Sequence, residues 1–532
     1  MRVKVKRWVN DAVEEVLDWL LSTIAIYMYI TAIICGTFLY FTYPSRTDIR
    51  FYSEQDLGTE RDAPFYYGCV NTEAYLQAPE YKKMNAAFVM LTRNNELKDV
   101  LSSMNSIEAH FNQWFKYPYV FLNDEPFSEE FKKSIREATD ADIEFGTLDE
   151  SQWEFPEEVR NTFEYQNAIT DQGDRGILYG NMESYHKMCR FYSGIFYKHP
   201  LMQKYEWYWR LEPDVEFFCD LTYDPFFEMH RRNKKYAFTM IIPEIYWTVP
   251  NLFRYTKAFI REYGVKVGTL WKLFATNYDI LKTDKGRDEF TDYENMVRDD
   301  LHQWVKFGGD VEPKLSEKVA IDHLLESETA DDDVGLMFLV NRARSKVPLI
   351  EDEFEGEEYN LCHFWSNFEI ARLDVFDNEV YNSYFQYLEA SGGFWKERWG
   401  DAPVHSIGLA LTLDVDDIHY FRDIGYMHSI LKHCPKNSPD LNQFQYKPAN
   451  KKYKRSSWTR YDTPIEGGSG CRCRCPSKPA EVEDTITFCF EKWMDVTHLK
   501  KGEVELYQLF NIEEKEEMVR NDFERHHQQQ NQ

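Results

Sequence analysis

The sequence has no excess of positive charge. Lys and Arg total 62 against 90 Asp and Glu, a formal net charge of −28. Nucleic acid is therefore excluded as a partner, because phosphate binding needs clustered cations. No HExxH pair, no P-loop and no dinucleotide-binding GxGxxG fingerprint is present, which removes the chemistries those motifs carry. There is no Asn-x-Ser/Thr acceptor, so N-glycosylation is not expected. No internal repeat is visible. Cysteine is sparse, at ten in 532 residues. The one tight group, "CRCRC" at 471–475, lacks the CxxC spacing of a zinc site, which leaves disulfides as its default.

What is present is core-forming material. Hydrophobic residues make up 43% of the chain and aromatic residues 16%, ample for a large folded body. One uncharged run, "WLLSTIAIYMYITAIICGTFLYF" at 19–41, is long enough to cross a bilayer. Trp19, Tyr40 and Tyr43 lie near its ends, where amphipathic rings favour the interface. Arg2, Lys4, Lys6 and Arg7 before it place the amino end in the cytosol and the rest in a lumen that permits disulfides. Cys35 falls in the span. Nine cysteines remain, so at least one is unpaired or intermolecular.

The chain divides into a cytosolic tail (1–18), a membrane anchor (19–41), a lumenal stem (42–85), a catalytic body (86–435) with an expanded region (264–358), and a cysteine-containing extension (436–532). "AAFVMLT" at 86–92 and "YPYVFLND" at 117–124 read as buried strands. Between them Leu97, Val100, Leu101, Met104 and Ile107 keep helical spacing. Strand, helix, strand is the βαβ pattern of a parallel sheet. The acidic runs "ETADDDVG" and "EDEFEGEEYN" read as solvated loops.

Several constellations could carry chemistry. "YWRLEPDVEF" ends an apolar, aromatic run on Glu212-Pro213-Asp214. On an extended chain those two carboxylates share a side, at the strand end where open α/β sheets bind ligands. Their repulsion invites a divalent cation, and a surface turn is the plain alternative. Arg210 could neutralise Glu212 or grip a phosphate. In "YNLCHFWSNFEIARLDVF", Trp365, Phe368, Leu373 and Phe376 suggest an amphipathic helix. Glu369 beside it faces either solvent or a pocket; in a pocket it is a candidate base or nucleophile. Asp401 precedes a helix start near Pro403, where capping is its ordinary use. Ile418 to Phe421 reads as a strand, and His428 follows a turn at Gly425.

Four long motifs, "YWRLEPDVEFFCD", "YNLCHFWSNFEIARLDVF", "GGFWKERWGDAPVHSIGLAL" and "HYFRDIGYMH", together resemble the fungal Ktr-type Golgi α-1,2-mannosyltransferases of glycosyltransferase family 15. The likeness covers most of 85–435. It implies an α/β, GT-A-like fold with a mainly parallel sheet flanked by helices behind one transmembrane helix. It implies GDP-mannose as donor, Mn²⁺ as cofactor, a mannosylated glycoprotein acceptor and retention at the anomeric carbon. By motif, Glu212 and His428 look like the metal pair and Glu369 like the nucleophile. Arg93, Tyr185, Arg210 and Trp365 look like donor-side contacts. Glu244 and Asp401 resemble sugar-pocket positions. Retention could proceed through a mannosyl–Glu369 ester or by same-face attack with Glu369 stabilising an oxocarbenium-like state. A catalytically weak lumenal scaffold or glycan-binding relative is the rival from another class. A metal-dependent glycosidase is disfavoured, since Glu369 has no clear acid partner.

Overall fold

The computed structural model describes residues 22–23, 26–35, 37, 63–277, 357–439, 444–456, 460–479, 481–482 and 487–498. Among them no helix is long and apolar enough to cross a membrane. Within 19–41, the described positions 22–23, 26–35 and 37 are helical and 26–35 are exposed; the rest of the expected anchor lies outside the described residues. So do the expected cytosolic tail, residues 42–62 of the expected stem, and 278–356 with its acidic runs. The end of the second run is no loop: Glu357 is 2% exposed and pairs with Lys257.

Fourteen strands are described: β1 (Ala86–Leu91), β2 (Tyr119–Asn123), β3 (Ile143–Thr147), β4 (Trp207–Arg210), β5 (Val215–Phe217), β6 (Tyr236–Phe238), β7 (Ile241–Pro243), β8 (Ala275–Asn277), β9 (Glu357–Tyr359), β10 (Cys362–Phe364), β11 (Glu369–Arg372), β12 (Ile418–Tyr420), β13 (Tyr426–His428) and β14 (Leu431–His433). Seven form the central sheet, in the order β12-β6-β11-β4-β1-β2-β3. β1 pairs in parallel with β2 and β4, β2 with β3, and β6 with β12. Only β11 runs against its neighbours β4 and β6. The expected βαβ unit is present: β1 leads into helix Leu97–Ile107, which buries Val100, Met104 and Ile107 and returns to β2. β1 is buried along nearly its whole length, as a sheet covered on both faces requires.

Alternation sorts the strands into two cores. Ala87, Val89, Tyr208, Tyr236 and Ala371 join one, and Phe88, Met90, Trp207, Trp209 and Ile370 the other. This corrects the helix expected around Glu369. Phe368 and Ile370 share the second core while Ala371 enters the first, a period of two. Those residues form β11, followed by a 3₁₀ turn at Leu373–Val375. The apolar spacing that suggested a helix spans two separate elements.

A three-stranded sheet, β14-β13-β5, continues from the end of β4. The extension fastens it. Cys471 bonds Cys69, Cys473 bonds Cys219, Cys475 bonds Cys434, and Cys489 bonds Cys362. The three cysteines of "CRCRC" thus reach three different segments, and Cys189 is the buried unpaired one. Between them Arg472 donates to Asp220, which also meets Arg455 and His110. Burial opposes the Asp220 charge, but these three partners hold its carboxyl far below the usual range.

Asp224 shows the opposite balance. It caps helix Pro225–Arg231 and accepts hydrogen bonds from Tyr117 and Tyr81, yet burial pushes its carboxyl up to about 6. A folded value above the unfolded one gives stability that is complete below the unfolded pKa and lost as pH rises through 6. The destabilisation caused by Asp224→Asn is therefore expected to be about 2 kcal/mol larger at pH 4.5 than at pH 7.5. Denaturant unfolding of both proteins at the two pH values checks this; an equal penalty at both contradicts it.

Candidate active site

The reversed direction of β11 decides where the motifs meet. β4 ends, and β11 begins, at one edge of the sheet, with Glu369 directly opposite Arg210. Both lie on the face that carries Tyr208 and Ala371. Arg210 is 3% exposed. Its Nε donates to Glu212 Oε1 (2.7 Å), its Nη1 donates to Asp401 Oδ2 (2.5 Å), and its guanidinium lies 3.5 Å from the centre of the Tyr192 ring. Burial opposes its charge, yet Asp401 and Glu212 hold it well above the ordinary arginine range. Burial likewise opposes ionisation of Asp401, but Arg210, His405 and the Ser366 hydroxyl at 2.6 Å keep that carboxyl low.

Glu369 forms the second half of this floor. It has no exposed surface. Tyr208 donates to Oε1 at 2.8 Å and Tyr236 to Oε2 at 3.0 Å. Burial and the Glu369 charge push both phenols well up, so they remain donors. His405 places Nδ1 3.1 Å from Oε2 and Nε2 2.8 Å from the Tyr192 carbonyl, so both ring nitrogens face acceptors.

The remaining expected residues form a more open rim. Arg93 is exposed just beyond β1. Tyr185, half-buried, stacks on Tyr179 at 4.7 Å and lies 5.3 Å from the Arg398 guanidinium. Arg398 in turn pairs with Glu244 at 3.4 Å and also feels the charge of Asp401. Trp365 packs against the His428 ring at 5.4 Å. His428 stands opposite Val215 across the β13–β5 pair, three residues from Glu212. Burial and the Arg210 charge push His428 down to about 4, so it is a neutral imidazole at neutral pH. Burial also raises Glu212, against the pull of Arg210.

Two expectations change and a third narrows. Glu212 and Asp214 do not share a side: Asp214 has φ +61° in a turn and is exposed, so Glu212 alone joins the floor. Of the two uses expected of Arg210, the structure shows the neutralisation of Glu212, shared with Asp401. Asp401 opens helix Asp401–Ala410 but does not cap it; its carboxylate faces Arg210 and Ser366. Tyr192, Ser366, Asn367, Arg398 and His405 escaped the sequence reading. Two left a signal: Tyr192 lies seven residues after Tyr185, and His405 four after Asp401, each on one helix face.

The donor set fits a nucleotide-borne ion. Among the described residues no three His, Cys, Asp or Glu side chains gather as a metal cage. Glu212 keeps its second oxygen without a hydrogen bond among the described residues, and His428 offers a neutral nitrogen. One carboxylate and one imidazole suit a Mn²⁺ or Mg²⁺ held largely by phosphate oxygens and water. Removing Arg210 strands Glu212 and Asp401 without their counter-charge. Arg210→Met is expected to cost about 3–5 kcal/mol of stability. A melting temperature unchanged from wild type contradicts the Arg210-centred network.

The fold and these motifs have close counterparts. The family model for glycolipid 2-alpha-mannosyltransferase matches residues 50–286 and 337–461. The probable mannosyltransferase KTR5 of Saccharomyces cerevisiae is 59% identical over 478 residues, 89% of each chain. The O-glycoside alpha-1,2-mannosyltransferase homolog 5 of Schizosaccharomyces pombe is 43% identical, covering 82% of this chain and 83% of its own. Core-mannan synthase A (CmsA/Ktr4) from Aspergillus fumigatus, solved in an Mn/GDP form, matches at 31% identity and TM-score 0.50 over 76% of this chain and 85% of that one. The S. cerevisiae mannosyltransferase Ktr4p with GDP matches at 28% identity and TM-score 0.53 over 86% and 90%. The chain belongs to the glycolipid 2-alpha-mannosyltransferase family and is a mannosyltransferase.

Proposed function

We propose that the protein transfers mannose from GDP-mannose to the 2-hydroxyl of a mannoside on a glycoprotein, with retention of configuration. The observation that carries this reading is the clustering of Arg210, Glu212, Glu369 and Asp401 at one sheet edge, beside His428. A relative holding Mn and GDP on a similar fold supports a nucleotide diphosphate donor. Glu212 and His428 would hold Mn²⁺, which as a Lewis acid offsets the charge of the departing diphosphate. Arg93, Tyr185 and Trp365, on the open rim, are assigned to the donor. Glu244, fixed by Arg398, is assigned to the sugar pocket.

The burial of Glu369 favours one of the two retaining routes. A carboxylate with no exposed surface and three donors around it is not placed to attack the anomeric carbon. It is placed to stabilise positive charge on the sugar. In the proposed step the bond from the anomeric carbon to the phosphate oxygen breaks. The acceptor oxygen bonds on the same face, and its proton passes to the leaving phosphate. Arg210 and Asp401 act by fixing Glu212 and the floor.

The lumenal Golgi setting is part of the same proposal. It rests on the uncharged run at 19–41 as a type II anchor and on four disulfides, which need an oxidising compartment.

Three measurements test this reading. The full chain in detergent, with GDP-mannose, Mn²⁺ and a methyl α-mannoside, is expected to release GDP in step with a disaccharide. GDP release without acceptor dependence would indicate hydrolysis, and no release would favour the scaffold. Glu369→Gln is expected to retain GDP binding and lower kcat about 10²–10³-fold. Intact-mass spectra of wild type with donor alone are expected to show no added hexose; a hexose on Glu369 would establish the double displacement instead.

A further inference from the structure

The ring of His428 is held by a residue with no assigned role. The side-chain amide of Asn367, just before β11, has its Nδ2 2.9 Å from His428 Nδ1. The other end of the same amide lies 3.1 Å from Tyr426 Oη, and Tyr426 Oη also donates to the backbone carbonyl of Asn367 at 3.1 Å. Tyr426 and His428 are two residues apart on β13. Asn367 and Tyr426 are both buried, and among the described residues His428 Nε2 has no hydrogen-bond partner.

Proton counting chooses between the two orientations of the amide, which exchange oxygen and nitrogen. With nitrogen toward His428, the single Tyr426 proton faces two acceptors. Nδ1 must then carry the lone pair, and the ring proton sits on Nε2. With oxygen toward His428, each of the three contacts pairs one donor with one acceptor. Nδ1–H donates to the amide oxygen, the amide N–H donates to Tyr426 Oη, and Tyr426 Oη–H donates to the Asn367 carbonyl. Nε2 keeps its lone pair. Only this second arrangement leaves a nitrogen able to ligate a cation.

We infer that Asn367 and Tyr426 form a relay that locks His428 in its Nδ1–H tautomer and so keeps Nε2 open to a divalent cation. Both are positioning residues. Neither is a ligand, and each acts through the imidazole. The inference deepens the proposed function and rests on its assignment of His428 as a metal ligand.

Two measurements separate the parts. The first needs no metal: long-range ¹H–¹⁵N spectra of full-length protein with ring-labelled histidine, the His428 signals identified by their loss in His428→Ala. Protonated Nδ1 is expected, and protonated Nε2 overturns the relay. The second is Mn²⁺ affinity in the presence of GDP, read by electron paramagnetic resonance of the free ion. Asn367→Leu is expected to weaken binding about 10–100-fold. Asn367→Asp, which keeps an acceptor for Nδ1–H, is expected to stay near wild type. Equal losses in the two variants, or none in Asn367→Leu, overturn the role in metal binding. If His428→Ala leaves Mn²⁺ affinity unchanged while the tautomer is as expected, the metal assignment of His428 fails, and the metal role of the relay falls with it.

Discussion

The site depends on one hydrogen-bonded register, in which β11 runs against β4 with Glu369 opposite Arg210. The pairing brings together residues 159 positions apart in the chain and sets them on the same face of the sheet. From there the guanidinium can reach Glu212, two residues beyond the end of its own strand, and Asp401 at the head of a helix. Three carboxylates surround one buried cation. A buried charge is tolerable only when paired and hydrogen-bonded. Each of these groups is so satisfied, by Tyr208, Tyr236, His405 and Ser366 as well as by Arg210. The cluster retains an excess of negative charge, and a divalent cation with its phosphates is a natural complement.

A second constraint holds the rim to this floor. β5 follows Glu212 after a tight turn at Pro213 and Asp214, and β13 pairs with β5 so that His428 returns to the same region. The ends of that small sheet are fastened by the bonds from Cys473 to Cys219 and from Cys475 to Cys434. The described cysteine segment of the extension, 471–475, therefore braces the element that carries His428. On an extended chain the three cysteines would line one side, but Arg472 at φ +46° breaks the run, and the short segment reaches separate parts of the body.

Much of the fold was legible because its signals are local. "AAFVML" and "YVFLN" are short apolar runs, and the helix between them keeps its spacing. The wrong element was the one whose identity is decided by partners. The residues around Glu369 become a strand because β4 and β6 flank them, and their apolar positions fit either period over so short a stretch. At the site, Glu212 stood out as a carboxylate at a strand end and Glu369 as a carboxylate that could face a pocket, and the shared motifs added His428. Burial was not legible. Arg210 reads on paper as a cation for Glu212 or for phosphate, and only the fold shows it committed to Glu212 and Asp401. Tyr192 and Asn367 were missed because a tyrosine and an asparagine carry no chemistry until a neighbour gives them one.

The most direct measurement is a crystal structure of the GDP complex grown with Mn²⁺, with anomalous data collected at the manganese absorption edge. The account predicts one peak at the diphosphate, within bonding distance of a Glu212 oxygen and His428 Nε2, with Arg210 still buried between Glu212 and Asp401. A manganese peak held by other side chains, with residues 212 and 428 turned away from the diphosphate, would contradict it.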